Sequence, residues 1–288
     1  MGTVATVTGV IDLHSHTTSS DGDLSPRELV ARAAQRGVTV LAITDHDTMA
    51  GVPEALLAAT LHGIDVLPGV EISVTYSPGS LHLLGYFPDA APEPLTSRLR
   101  GLAAGRRSRA EEVVRLLGDL GAPITMADVQ SRAGGTIGRP HVAEALIAAG
   151  HVVTRQEAFD RFLHDRGPAW VPHTGILPDE AVRLVRDSGG AAVLAHPGTL
   201  RLGTQHLDSL VAKLAHHGLV GIEVYRPEHT PDQRAAYRKL ARRHDLIMCG
   251  GSDFHRPGDG REPGDTGEPA LTSTTHLRLA DRVATVGL

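Results

Sequence analysis

Short apolar runs alternate with amphipathic helices along most of this chain, and run after run ends on a histidine or a carboxylate. Stretches at residues 7–13, 38–44, 64–75, 81–87, 191–195, 220–225 and 245–250 have the length and apolar content of strands. Residues 25–36, 53–62, 178–187, 206–217 and 231–243 carry the apolar spacing of helices instead. Ser25 followed by Pro26 marks a helix start, because serine can cap free N–H groups and proline has no N–H to leave unpaired. Pro68 and Gly69 are expected to interrupt the third strand. Strands alternating with helices predict a parallel α/β barrel, complete or distorted.

One region has a different texture. After Pro92 and Pro94, residues 95–120 read as a single long arginine-rich helix, followed by helical stretches at 125–132, 140–149 and 155–163. Strand character returns only at Trp170 and Val171. Residues 94–167 are therefore expected to form a helical insertion that caps the substrate, and residues 1–93 and 168–288 the catalytic barrel. No internal repeat is evident, and the Gly/Pro-rich residues 257–269 read as a loop.

Composition narrows the chemistry. With 288 residues, 41% of them hydrophobic, the chain can bury a large core, and a net charge of −5 argues against a general basic coat for nucleic acid. A single cysteine, Cys249, excludes a disulfide framework and a thiolate zinc cage. No apolar run reaches the ~18 residues of a membrane span, and the first residues lack a signal peptide's basic region, so a cytoplasmic location is expected with no membrane or obligate protein partner. Gly2, Ala5 and Thr6 match a myristoylation signal only loosely. Against 9 aromatic residues there are 17 histidines, and only two lysines, Lys213 and Lys239.

The histidines fall at particular places. Asp12, His14 and His16 follow the first strand at a spacing of two, which aims them at one face, and Asp21 comes just after. Asp45 and His46 end the second strand, Glu71 lies in the third, His82 in the fourth, and His196 and then Asp253 and His255 follow later strands. A lone histidine is usually a satisfied structural residue. Independent structural histidines have no reason to collect at successive strand ends, whereas a polynuclear metal site in a barrel mouth requires it.

The order Asp12-Leu13-His14-Ser15-His16, Ser20-Asp21-Gly22, Thr44-Asp45-His46, Gly69-Val70-Glu71, His82, Ala195-His196-Pro197 and Ser252-Asp253-Phe254-His255 resembles the polymerase and histidinol phosphatase (PHP) family of metal-dependent phosphoesterases. The resemblance implies a distorted (β/α)7 barrel holding a three-metal cluster. It places His14, His16, Glu71 and Asp253 on one ion, Glu71, His82 and His196 on a second, and Asp21, His46 and His255 on a third. Glu71 would bridge two ions, and Glu71, His196, Asp253 and His255 would be the catalytic members. Carboxylates mixed with imidazoles suit Mn, Fe or Zn better than an all-oxygen ion. Asp12 and Asp45 are left to orient neighbouring imidazoles. Amidohydrolases that bridge their metals with a carboxylated lysine are excluded, since Lys213 and Lys239 both sit in helical segments. A P-loop and a Gly-x-Ser-x-Gly elbow are also absent.

Within the family, the motif spacing and the insertion resemble the nucleotide-acting subgroup, which includes 3',5'-nucleoside bisphosphate phosphatases and the 5'-3' exoribonuclease RNase AM. The subgroup's Arg-Pro-His element appears here as Arg139-Pro140-His141. Pro140 suits a first helical turn whose free N–H groups favour an anion, and Arg139 and His141 flank it, so both are expected to contact phosphate. His229 is a further candidate phosphate contact and Tyr225 a surface for a base or sugar, or both are rim residues. His173 stands where the subgroup usually has a lysine. Arg100, Arg106, Arg107, Arg109 and Arg115, interleaved with Glu111 and Glu112, form either a solvated face or a track for an RNA backbone. The expected reaction is metal-assisted hydrolysis of the 3'-phosphate of a nucleoside 3',5'-bisphosphate. Alternatives on the same site are a nucleoside 5'-monophosphate phosphatase, a histidinol-phosphate phosphatase and an exonuclease on short RNA ends. The non-enzyme alternative is a structural metal-binding PHP module.

Overall fold

A computed structural model describes residues 9–76, 80–172, 175–267, 271, 275 and 278–282. His173, Gly2, Ala5, Thr6 and the first two residues of the first expected strand lie outside these. Seven strands, β1 (Val10–Asp12), β2 (Val38–Ile43), β3 (Asp65–Thr75), β4 (Ser80–Tyr86), β5 (Ala191–Leu194), β6 (Leu219–Tyr225) and β7 (Ile247–Gly250), form one sheet in sequential order. The sheet curls into a nearly closed barrel, as its two edges meet where Leu13 N–H donates to Gly250 O at 3.3 Å and Asp253 N–H to His14 O at 2.9 Å. The distorted (β/α)7 fold expected from the sequence is the one observed.

Two strand expectations are corrected. The strands are not all parallel, because β4 runs against both β3 and β5. That reversal puts His82, near the start of β4, beside Ser73 of β3, while its carbonyl accepts from Ala195 N–H just past the end of β5. In a parallel β4 the same residue would lie at the opposite end of the barrel. Nor is β3 interrupted: it runs through Pro68, whose carbonyl accepts from Phe87 N–H. Gly69 is needed there, since a Cβ would stand 2.9 Å from the Thr44 methyl and 3.0 Å from Ile43 O. The strand expected at Trp170 and Val171 does not form.

Side chains alternate across each strand. Val40 and Ala42, Leu84 and Tyr86, and Val193 and Ala195 fill the barrel with Ile11, Leu13 and Cys249. Their neighbours Leu41 and Ile43, Leu81 and Leu83, and Ala192 and Leu194 pack outward against the helices. The same parity turns Glu71, Ser73, His82 and Glu223 inward, since Val70, Ile72, Leu83 and Ile222 face out. The interior is thus apolar at its base and polar toward its mouth.

The outer helices are α1 (Pro26–Gln35), α2 (Val52–His62), α7 (Pro178–Asp187), α8 (Thr204–His217) and α9 (Pro231–Arg243). Ser25 caps α1 in a reciprocal box with Glu28. Lys213 lies in α8 and Lys239 in α9. Between β4 and α7 the chain forms α3 (Leu95–Asp119), α4 (Met126–Gln130), α5 (Arg139–Ala148) and α6 (Arg155–Ala158), the last widening into a π turn at Phe159–Leu163. These helices share a separate core around Leu117, Val129, Leu146 and Phe162. Because β4 descends, α3 starts at the base, where Leu95 N–H donates to Ser188 Oγ at the end of α7, and climbs to the mouth. No helix among the described residues is long and apolar enough to cross a membrane.

Candidate metal centre

The residues singled out at strand ends converge in the barrel mouth. His14 and His16 leave β1, His46 follows β2, Glu71 and His82 come from β3 and β4, and His196, Asp253 and His255 follow β5 and β7. His14 Nε2 and His16 Nε2 are 3.1 Å apart, and each lies 3.2–3.3 Å from Glu71 Oε2 and Asp253 Oδ1. Four donors at tetrahedral corners around an ion, with bonds of about 2.1 Å, would be roughly 3.4 Å apart, so the spacing fits a metal. The other Glu71 oxygen meets His82 Nδ1 at 2.8 Å and His196 Nε2 at 2.7 Å, and those two nitrogens are 3.3 Å apart. A third group joins Asp21, His46 and His255 with His16. Asp21 Oδ1 in this group is buried without a hydrogen-bond partner, which a cation between the rings would relieve, and so is His46 Nδ1, which faces Glu71 Oε2 at 3.2 Å on the other side. His46 also groups with Glu71 and His82, a combination the sequence did not suggest.

Ring orientation is set from behind. Nδ1–H of His14 donates to Glu223 Oε1 at 3.0 Å, that of His196 to Thr199 Oγ1 at 3.1 Å, and that of His255 to Asp253 O at 2.9 Å. Each of these rings therefore turns an Nε2 lone pair into the centre. Asp253 Oδ2 is held at 2.8 Å by Arg226, which also reaches Glu223, leaving Oδ1 for the centre. Glu223 and Arg226, 0% and 4% exposed, are functional residues that sequence reasoning missed. His196, Asp253 and nearby Asp47 adopt positive φ, a strained backbone retained where a site dictates it.

Electrostatics follow the same layout. Burial would raise Glu71, but the imidazoles of His46, His82 and His14 more than reverse it and hold its pKa well below the carboxylate range. Asp21 and Asp253 are held down similarly, against burial, by His46 and by Arg226 respectively. Burial would lower His16, yet Asp253 and Glu71 raise its pKa to about 10. Burial wins at His46 and His196, whose pKa values fall.

Other expectations need correction. Asp12 bonds no imidazole: it accepts from His14 and Ser252 N–H, Ser252 Oγ–H and Gly264 N–H, and so clamps the loops at the β1/β7 seam. Asp45 holds Thr17 and Ser20, reaching His16 only through Ser20 Oγ at 3.5 Å. His141 caps the helix that Arg139 opens. Its Nδ1 accepts from Gly138 N–H at the start of α5, and it lines neither cavity at the mouth.

Two cavities open on the centre. A smaller one, about 200 Å³, lies under α3 and α5 and is lined by His46, His82, Arg106, Arg109, Arg139 and Trp170. A larger one, about 970 Å³, runs past His196, Arg226, His229 and Arg261. Arg139 and Asp165, paired at 2.8 Å, border both. His229 donates Nδ1–H to Val224 O and turns its other nitrogen toward Gly198. Tyr225 packs partly against the core, with its hydroxyl on Met248.

Comparison with known proteins agrees with this layout. The PHP domain profile matches residues 12–148. The chain is 35% identical to the 3',5'-nucleoside bisphosphate phosphatase of Chromobacterium violaceum over 89% of its length and 91% of that protein's. It is 36% identical to the Escherichia coli 5'-3' exoribonuclease Rnm over 86% of each. A Bifidobacterium adolescentis structure assigned as a metal-dependent phosphoesterase superposes with a TM-score of 0.85 at 34% identity, covering 96% of this chain and 97% of that one.

Proposed function

Since the chain belongs to the PHP family, we propose that it is a metal-dependent phosphomonoesterase that removes the 3'-phosphate of nucleoside 3',5'-bisphosphates, leaving a 5'-mononucleotide. The observation that carries this reading is the sharing of Glu71 between donor clusters that open onto an arginine-lined cavity. In this reading His14, His16, Glu71 and Asp253 hold one ion, Glu71, His82 and His196 a second, and Asp21, His46 and His255 a third. The mixed nitrogen and oxygen donors suit Mn, Fe or Zn. Bound divalent ions would supply the Lewis acidity that makes water nucleophilic near neutral pH and offsets charge on phosphoryl oxygens.

The chain's own side chains do the rest. Glu223, Thr199 and Arg226 keep the ligand rings and Asp253 aimed, so little reorganisation is left for the reacting state. Arg139 engages the part of the substrate that does not react, and His229 meets it from the larger cavity, so binding energy away from phosphorus orients the reacting bond.

A second reading, a 5'-3' exoribonuclease on short RNA ends, is favoured by the Escherichia coli relative and by Arg166, Arg201 and Arg261 along the larger cavity. Phosphate and nucleotide release from adenosine 3',5'-bisphosphate, AMP, histidinol phosphate and a 5'-phosphorylated oligoribonucleotide separates the readings. The bisphosphate is expected to turn over with the highest kcat/KM. If it does no better than AMP or histidinol phosphate, the bisphosphate reading is wrong. Full activity of Glu71→Gln protein loaded with metal would leave only a structural role for the cluster.

A further inference from the structure

A third cavity, of about 450 Å³, lies on the outer side of the barrel between α8, α9 and the short turn Pro197–Leu200 that follows His196. Its volume falls within the range of small-molecule sites, about 300–1,000 Å³. Pro197, Leu202, Leu207, Tyr237 and Leu240 give it an apolar floor, and Arg201, Lys239 and Arg243 stand around it. These cations are not balanced by the lining itself. Asp208, the one carboxylate there, accepts from Arg243 at 2.6 Å and lies 2.8 Å from His244 Nε2. The side chains of Arg201 and Lys239 have no hydrogen-bond or ion-pair partner among the described residues. An apolar floor beside two uncommitted cations is complementary to a ligand with an apolar body and an anionic head.

The wall of this cavity is also the back of the metal centre. Gly198 and Gln233 line both it and the larger cavity at the mouth. The turn has His196 at one end and Arg201 at the other, both at positive φ, and Thr199 within it holds the His196 ring. On the α9 side, the Tyr237 ring stands edge-on to His229 at 5.0 Å. An anion that engages Arg201 on the turn and Lys239 on α9 therefore ties the two together and restrains His196. We propose that this cavity is a second ligand site, for a small organic anion with an apolar body, and that its occupant steadies His196 in the metal centre. The site lies outside the reaction, so the inference holds whichever phosphate ester is cleaved.

Two measurements on the metal-loaded full chain test this. The probe is anilinonaphthalene sulfonate, an aromatic anion whose fluorescence rises in apolar surroundings, and it is expected to bind saturably to a single class of site. Lys239 and Ala236 are exposed on α9, so variants there should fold and leave the basal reaction unchanged. Lys239→Glu should weaken the dye at least about threefold, the scale of reversing an exposed charge. Ala236→Trp, which fills part of the cavity, should weaken it at least about tenfold. Lys213→Glu makes the same charge change at the chain's other lysine, on α8 outside the cavity, and should shift the affinity less than about 1.5-fold. The second measurement is the rate of metal loss to excess chelator, which needs no substrate. Saturating dye should slow that loss at least about twofold in wild type, and not in Ala236→Trp. Dye binding that does not saturate, is equal in wild type and both α9 variants, or is competitively displaced by adenosine 3',5'-bisphosphate overturns the site. An unchanged rate of metal loss overturns the link to His196.

Discussion

Glu223 sits behind the centre with no exposure to solvent, and His14, His196 N–H and Arg226 all bond to it. Removing it frees the His14 ring and the His196 N–H and leaves Arg226 with only Asp253 and Glu228. Glu223→Ala is therefore expected to weaken metal retention by about 10- to 100-fold, with Glu223→Gln in between, as measured by metal content after dialysis against graded chelator. A second prediction concerns protons. In metal-free protein His16 is held at about 10, above its unfolded value near 6.5, so its bound proton stabilises the fold below pH 6.5 and ceases to as pH rises through 10. A metal must displace that proton. Metal uptake at pH 7 should release acid and tighten with rising pH, which titration in weakly buffered solution measures. Most of the candidate ligands were legible in the sequence because they lie at or just past strand ends, where position and chemistry coincide; Glu71, within β3, and Asp21, nine residues past β1, were placed by the family resemblance. Glu223 had a signal too, as a lone carboxylate inside the apolar run of β6, since a buried charge must find a partner. Its partner His14 lies 209 residues away, beyond any local pattern. His141 shows the same limit: a histidine that caps a helix start occupies the same sequence position as one that would bind an anion there.

Strand by strand, the alternation of apolar and polar residues gave position and facing but was blind to direction, because a period of two reads the same both ways. Hence β4 was located but its polarity was not. Pro68 misled differently: its missing N–H reads as a strand break, yet its carbonyl still pairs with Phe87 across β4. The β1/β7 seam supplies the test at this scale. A Cβ on Gly251 would lie 2.4 Å from His14 Cβ and 2.5 Å from His14 N, so the two chain segments could not keep their separation. Gly251→Ala should destabilise the protein by about 2 kcal/mol or more and displace a metal ligand with it. Gly118→Ala, in α3 with nothing within 4 Å, should instead gain up to ~1 kcal/mol. Thermal midpoints of the two variants should move in opposite directions.

For the molecule as a whole, the mouth is a place where carboxylates and imidazoles from every strand are brought together, and bound ions are expected to stabilise the fold. Saturating Mn²⁺ or Zn²⁺ at about 100 times Kd should add ~2.7 kcal/mol, raising the thermal midpoint by several degrees, and chelation should reverse the shift. Calorimetry of chelated and reloaded protein checks it, and an unchanged midpoint would count against resident ions. The helices between β4 and α7 meet the barrel through charged contacts such as Arg155–Asp23 and Arg256–Glu144, and through Thr136 N–H on Ser19 O. Exposed ion pairs contribute little each, so these set orientation more than stability. The descending β4 has one last effect. It makes α3 a strut footed at the base of the barrel, and a rise of 1.5 Å per residue carries Arg106 roughly 16 Å above Leu95. How far the arginines lean over the mouth is thus a matter of counting. Chains that lengthen or shorten this strut by a whole turn keep the same face toward the barrel but move the arginines by about 5 Å, a simple route by which relatives on one scaffold could come to measure substrates of different length.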